Sequence, residues 1–261
     1  MESWAQLSNP MRIVILGKTG AGKSSLANTT FGEDVFNVCA SSNSGTSQCK
    51  AETKPVKGRN ITLIDTPGLF DTNRSEEEMK PAILKCLMEC APGPHAFLIV
   101  LKVEKFTEQE KAVIDKISEY FEEKLFRYST VLFTHGDQLS DGKTIKDFVY
   151  QNELMRDLVK KCGDRCHGEY RSNQLQVAEL LNTIDKMVEN NGGCYTNEVL
   201  QAVEEKIQQE EENIRQSSPN MTKGEIREQA KVSVFRRMLS KLGTTGVVSF
   251  PKQTCWNLIY S

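Results

Sequence analysis

Apolar residues gather in four short runs, at residues 13–16, 61–64, 96–103 and 130–133, each closed by glycine, proline or polar residues. Runs of that length between turn formers predict strands buried on both faces, as in a parallel sheet. Residues 48–57 alternate loosely and predict an edge strand, followed by the turn Lys57-Gly58-Arg59-Asn60. Between these segments the apolar period changes to that of a helix. Residues 24–30 predict a short helix stopped at Gly32. Ser75-x-x-Glu78 reads as a capping box for a helix towards Ala91, with Pro81 disturbing its first turns and Pro92-Gly93-Pro94 ending it. Thr107-x-x-Glu110 is a second box, and Val113, Ile114, Ile117, Phe121 and Leu125 follow at helical spacing. Residues 144–161 predict one helix with Ile145, Phe148, Leu154 and Leu158 on its apolar face. Residues 162–174 read as an irregular connection, and residues 177–188 as a further helix stopped by Asn190-Asn191-Gly192-Gly193.

The last third is helical throughout. Residues 196–215 carry Val199, Leu200, Val203, Ile207 and Ile214 on one face and an acidic middle at Glu204, Glu205, Glu210, Glu211 and Glu212. Ser217-Ser218-Pro219-Asn220 breaks the pattern, and Thr222-x-x-Glu225 caps a helix to Leu242 with Ile226, Ala230, Val234, Met238 and Leu239 inward. This is a packed hairpin, too brief for a coiled coil. The strand and helix alternation predicts an α/β domain over residues 11–193, after an N-terminal segment 1–10 and before a helical extension 194–243. Residues 244–261, with Trp256, read as a disordered tail, a weak interfacial contact being the alternative. No internal repeat is present.

Composition narrows the function classes. The 261 residues are 38% hydrophobic and 26% charged with a net charge of −2, so the chain has no bulk attraction to nucleic acid or acidic lipid. Residues 1–10 lack the basic and apolar regions of a signal peptide, and no apolar run approaches the roughly 20 residues that span a bilayer. The chain reads as cytosolic. Its eight cysteines are scattered and read as reduced thiols. Cys162-x-x-x-Cys166-His167 hints at a metal, but no second ligand cluster stands at a recognisable spacing.

The chemistry begins at the first apolar run. It is followed by Gly17-Lys18-Thr19-Gly20-Ala21-Gly22-Lys23-Ser24, and Ser25 continues into the predicted helix. Strand, glycine-rich turn and helix in this spacing form a phosphate-binding loop. Gly17 and Gly22 permit backbone that turns successive N–H groups towards phosphate oxygens, and the helix start adds its own N–H groups and dipole. Lys23 reaches the β- and γ-phosphates, and the Ser24 hydroxyl offers Mg²⁺ an oxygen. The second run ends in Asp65-Thr66-Pro67-Gly68, where Asp65 is placed to hold Mg²⁺ through water and Gly68 to offer an N–H to the γ-phosphate. Thr46 lies in the polar stretch between them. Its hydroxyl either completes the Mg²⁺ shell or is simply solvated. The fourth run delivers Thr134-His135-Gly136-Asp137. A carboxylate at Asp137 either accepts the paired N1–H and 2-amino donors of guanine or merely begins a loop.

These motifs together resemble the GIMAP (immunity-associated, AIG-type) family of GTPases, which is related to septins and chloroplast import-receptor GTPases. The resemblance spans roughly residues 11–215. It rests on the phosphate loop, the Asp-Thr-Pro-Gly-Leu-Phe-Asp stretch ending at Asp71, Gly93-Pro94-His95-Ala96-Phe97-Leu98 continuing through Lys105-Phe106-Thr107 to Glu110, and Val131-Leu132-Phe133-Thr134-His135-Gly136-Asp137. It implies a Ras-like P-loop GTPase fold, GTP or GDP binding with Mg²⁺, and GTP-dependent self-association through the G-domain face. It supports Thr46 as the switch threonine and Asp137 as the guanine reader. Three departures stand out. His135-Gly136 replaces the usual lysine, so His135 is the residue left to stack on the base. The base loop is shortened, leaving Asn173 as a substitute contact. Leu69-Phe70 follows Gly68 where small GTPases carry a water-orienting glutamine, so hydrolysis is expected to be slow. Lys105 stands in the box as a weaker stand-in for a catalytic arginine, its alternative being a solvated strand-end lysine. The expected function is a slow guanine-nucleotide switch, placed in the cytoplasm or peripherally at a membrane surface, with a protein partner as an option at the C-terminal helices. The alternative is a nucleotide-binding scaffold without turnover. A phosphate-loop kinase has the least support, because no acceptor-binding motif is visible.

Overall fold

A computed structural model of the chain describes residues 10–38, 49–66, 76–140, 142–168 and 173–242. They form two compact units. The first holds the described residues of Met1–Arg74 and Pro94–Tyr195, and the second those of Ser75–Gly93 and Thr196–Ser261.

The first unit is built on a six-stranded sheet: β1 (Met11–Leu16), β2 (Lys50–Val56), β3 (Arg59–Asp65), β4 (Ala96–Lys102), β5 (Ser129–Thr134) and β6 (Cys166–Gly168). The strand order is β2-β3-β1-β4-β5-β6, parallel except for β2, which runs antiparallel to β3. The apolar runs are buried on both faces because helices cover the parallel strands. Ile13, Leu63, Leu98 and Leu132 pack with Leu26 and Ala27 of α1 (Lys23–Phe31) and with Leu180 and Ile184 of α6 (Asn173–Asn191). Each of these leucines and isoleucines contributes about 1.5–3 kcal/mol by leaving water. Pro55 is tolerated because β2 lies at the sheet edge. β1 has β3 on one side and β4 on the other, so the chain changes direction at the carboxyl end of β1, where open α/β sheets place their ligands.

The second capping box is present as expected: Thr107 and Glu110 open α3 (Glu108–Phe121). Leu125 lies beyond that helix, in a 3₁₀ turn entered through Glu122 at a φ of 65°. Two expectations are corrected. The single helix of residues 144–161 is two, α4 (Ile145–Tyr150) and α5 (Glu153–Lys161), because the Asn152 side chain accepts the Met155 N–H and caps a new start. The irregular connection contains β6, pinned by parallel register of Val131 with Cys166 and Phe133 with Gly168. Near the unit's end, Tyr195 is fully buried, donates its hydroxyl to the Phe121 carbonyl, and packs edge-on against Phe97 and Tyr128.

His95 joins the starts of β1 and β4. Its N–H donates to the Arg12 carbonyl, and its Nδ1 accepts the Arg12 N–H at 3.0 Å. Burial and the Arg12 charge push the imidazole pKa down to about 4. Between pH 4 and 6.5 the unfolded chain therefore binds a proton that the folded chain does not, so this residue makes stability fall as pH drops through that window. The ring is part-exposed, which discounts the full shift. His95→Asn is expected to remove about 1–2 kcal/mol of the stability difference between pH 7 and pH 4.5, read from urea unfolding at both.

The second unit is a three-helix packing of α2 (Glu76–Cys90), α7 (Glu198–Ser217) and α8 (Lys223–Leu242). Leu84, Met88 and Ala91 meet Val203, Ile207, Ile226, Ala230 and Val234 in one apolar cluster. Part-buried charge pairs link these helices. Glu89 pairs with Lys231 at 2.9 Å and Lys85 at 2.6 Å, and Arg227 joins Glu204, Glu211 and the Ala91 carbonyl. Burial pushes the Glu89 carboxyl up, yet the Lys231 and Lys85 partners hold it below the usual carboxylate range. Leu84 and Met88, on the helix read from sequence within the α/β segment, thus pack with α7 and α8. No helix among the described residues is long and apolar enough to cross a membrane.

Candidate functional site

Residues 17–22 connect β1 to α1. Gly17 has a φ of 150°, and a Cβ there would stand 2.5 Å from the Val100 carbonyl oxygen, so only glycine lets this turn pass β4. Gly22 is the N-cap residue of α1, at a φ of 90° and with no side-chain cap. The first N–H groups of a nine-residue helix point along its axis at this N-terminus. From the far side, the Thr134 hydroxyl donates to the Ala21 carbonyl at 2.9 Å, tying the loop to the tip of β5.

Lys23 is 7% exposed, and its ammonium donates to the carbonyls of Gly17 at 2.9 Å and Lys18 at 3.0 Å. The Ser24 hydroxyl donates to Asp65 Oδ2 at 2.6 Å. The sheet brings these together: Asp65 ends β3 opposite Ile15 of β1, two residues before the loop. Asp65 is 1% exposed, and its second oxygen, Oδ1, has no hydrogen-bond partner among the described residues. Burial pushes this carboxyl up, against the Ser24 hydroxyl and the Lys23 charge, which pull it down. A buried carboxylate with one oxygen unpartnered beside a serine hydroxyl fits a hard divalent cation, which takes oxygen ligands and offsets the desolvation cost. The donor set at the helix start, with the Lys23 ammonium, fits a polyphosphate.

His135 follows β5 in the left-handed region at a φ of 58° and is exposed; Asp137, in the short turn Gly136–Gln138, is exposed as well. Both stand at the sheet end that carries the loop, beside the Thr134 tie. Lys105 is exposed in the β4–α3 connection. Thr46 and Gly68 lie outside the described residues; Asn173 is the first residue of α6, and its side chain lies outside them too. Sequence reasoning did not find the Thr134 clamp, nor that Lys18 pairs with Glu110 and Glu104. Glu110 was visible as a capping residue, but nothing local announces a partner 92 positions away. Of the cysteine cluster, Cys162 is fully buried with its thiol pushed up to about 12 by burial, and His167 Nε2 meets the Thr183 hydroxyl at 3.1 Å. Among the described residues no three His, Cys, Asp or Glu side chains are grouped to hold a metal.

A sequence model of the AIG1 family matches residues 11–216. Immune-associated nucleotide-binding protein 5 of Arabidopsis thaliana is 32% identical over 251 residues, covering 88% of this chain and 81% of that protein. GTPase IMAP family member 8 of Homo sapiens is 31% identical over 200 residues, covering 74% of this chain but only 30% of that larger protein. Among solved structures, Toc33 from Arabidopsis thaliana in complex with GDP and Mg²⁺ aligns with a TM-score of 0.57 at 20% identity, over 73% of this chain and 89% of that one. Era from Aquifex aeolicus, bound to GDP and AlF₄⁻, aligns with a TM-score of 0.51 at 19% identity, over 72% of this chain and 57% of that one. At these identities the two structures speak to the fold, that of the P-loop GTPases.

Proposed function

The chain belongs to the AIG1 family, and from that premise we propose that it binds GTP and GDP with Mg²⁺ at residues 17–25 and works as a slow switch. The observation that carries this reading is the meeting of Lys23, Ser24 and the half-satisfied Asp65 at the start of α1. In this reading the N–H groups of residues 20–25 cradle the phosphates, with Lys18, Thr19, Gly20 and Ala21 contributing backbone alone. The Lys23 ammonium leaves the two loop carbonyls for phosphate oxygens. Ser24 gives Mg²⁺ a direct ligand while Asp65 holds it through water. Held there, the cation would supply positive charge against the phosphates. Thr46 closes the cation shell, and Gly68 donates its N–H to the γ-phosphate. His135 lies against the base, Asp137 accepts its two donors, and Asn173 is a secondary base contact.

Turnover is slow in this reading because Leu69-Phe70 supplies no group to orient water, and Lys105 is the cation available to a second copy. In the chloroplast translocon components atToc33 and psToc159, dimerisation is important for the GTPase activity. That dependence in proteins of the same fold supports a G-domain homodimer formed in the GTP state. A scaffold with negligible turnover is the second reading, favoured by the same Leu69-Phe70 pair. GTP turnover per molecule that rises with protein concentration selects the first; none at any concentration selects the second.

Base choice tests the site. GDP is expected to bind far more tightly than ADP, and Asp137→Asn to lower GDP affinity about 100-fold while raising that for xanthosine diphosphate. The amide keeps one acceptor for N1–H and offers its N–H₂ to the 2-oxo group of xanthine. Equal affinity of the unaltered protein for GDP and ADP would sink the role of Asp137.

A further inference from the structure

Glu110 performs two tasks with two oxygens. Oε2 accepts the Thr107 N–H at 2.8 Å and the Thr107 hydroxyl, completing the start of α3. Oε1 accepts the Lys18 ammonium, which also meets Glu104 at 3.2 Å. The Glu110 side chain is 7% exposed and that of Lys18 31%, while Glu104 is 44% exposed and contributes less. Gly17, Val100, Phe106 and Val113 line the same cleft on the flank of the loop. Its apolar walls strengthen the pair by keeping water back. The Lys18 main chain carries the effect onward: its carbonyl accepts both the Ala21 N–H at 3.2 Å and the Lys23 ammonium at 3.0 Å.

We propose that Glu110 is a positioning residue for nucleotide binding, acting through Lys18 to hold the phosphate loop in register with α3. The proposal rests on the nucleotide-binding reading above. It gives the segment from Lys105 to Glu110 a task in the site: α3 braces the second residue of the loop, and that residue's carbonyl sets where the Lys23 ammonium rests. In this proposal the Lys18 side chain makes no phosphate contact. Its charge is held by carboxylates, so its value lies in where it pulls the backbone.

Glu110→Gln separates the two tasks, because glutamine at the third helical position still completes a capping box while losing the charge that holds Lys18. Lys18→Met removes the other partner and leaves α3 untouched. The measurement is equilibrium binding and release of a fluorescent GDP analogue with Mg²⁺, for the unaltered protein, both single variants and the double variant. Each single variant is expected to bind about tenfold more weakly, mainly through faster release. The double variant is expected to be no worse than either single one, since both break one connection. Losses that multiply in the double variant overturn the proposal. So does a pair that is only structural, which lowers the melting temperature equally with and without GDP and leaves affinity unchanged. If Glu110→Gln does not fold, Lys18→Met decides alone, and unchanged affinity overturns the proposal. An unaltered protein that binds no GDP refutes the nucleotide reading instead.

Discussion

Lys23→Ala is expected to lower the affinity for GDP and GTP by two to three orders of magnitude, roughly the cost of deleting one partner of a close, desolvated charge pair. The side chain is nearly buried and holds two loop carbonyls, so its ammonium waits beside the helix start rather than being recruited from solvent. Little ordering entropy remains to be lost when phosphate replaces those carbonyls, which is why the effect is large. The fold is expected to survive, since strand pairing and the apolar core do not involve Lys23. Calorimetric titration checks the loss, and a circular dichroism melt checks the fold. An affinity within tenfold of the unaltered protein would show that the ammonium does not sit at the phosphates.

Gly17→Ala is expected to fail differently, losing stability and binding together. The added methyl would stand 2.5 Å from the Val100 carbonyl oxygen, at a φ of 150° that side chains rarely adopt. Strand β4 is fully buried around Val100 and paired on both sides, so it cannot move aside cheaply. Backbone strain and overpacking each cost about 1–3 kcal/mol, giving about 2–5 kcal/mol in denaturant unfolding. Any relief must come from the loop, whose displacement also misplaces the carbonyls that hold Lys23. Gly20→Ala is the contrast: a Cβ there meets nothing within 4 Å among the described residues, so backbone strain is the main cost added. A Gly17→Ala protein as stable as the unaltered one would overturn the tight passage of loop and strand.

What could be read in advance followed the range of the interactions involved. The strand, glycine-rich turn and helix of residues 11–31, the position of Asp65 at the end of β3 and the Thr107–Glu110 box depend on neighbours within a few positions or on the end of one apolar run, and the structure has these elements in those places. β6 was not legible. Cys166-His167-Gly168 has no apolar alternation and is a strand only because β5 offers a parallel edge. The division of α4 from α5 turned on the Asn152 cap, a local signal outweighed by the continuous apolar face on either side. The Lys18–Glu110 and Thr134–Ala21 contacts join residues far apart in sequence, and no periodicity encodes them.

The three-helix unit draws one helix from before Pro94 and two from after Tyr195. Anyone dissecting the chain will be tempted to cut at that second point and keep the α/β part as a minimal fragment. The cut would strip the apolar cover from Leu84, Met88 and Ala91, and would take Lys231 from Glu89, leaving Lys85 as its remaining cation. Exposing Leu84 and Met88 costs about 1.5–3 kcal/mol each and leaves a sticky stripe on α2. A fragment for solution work must therefore keep α7 and α8, or carry polar replacements along the inner face of α2.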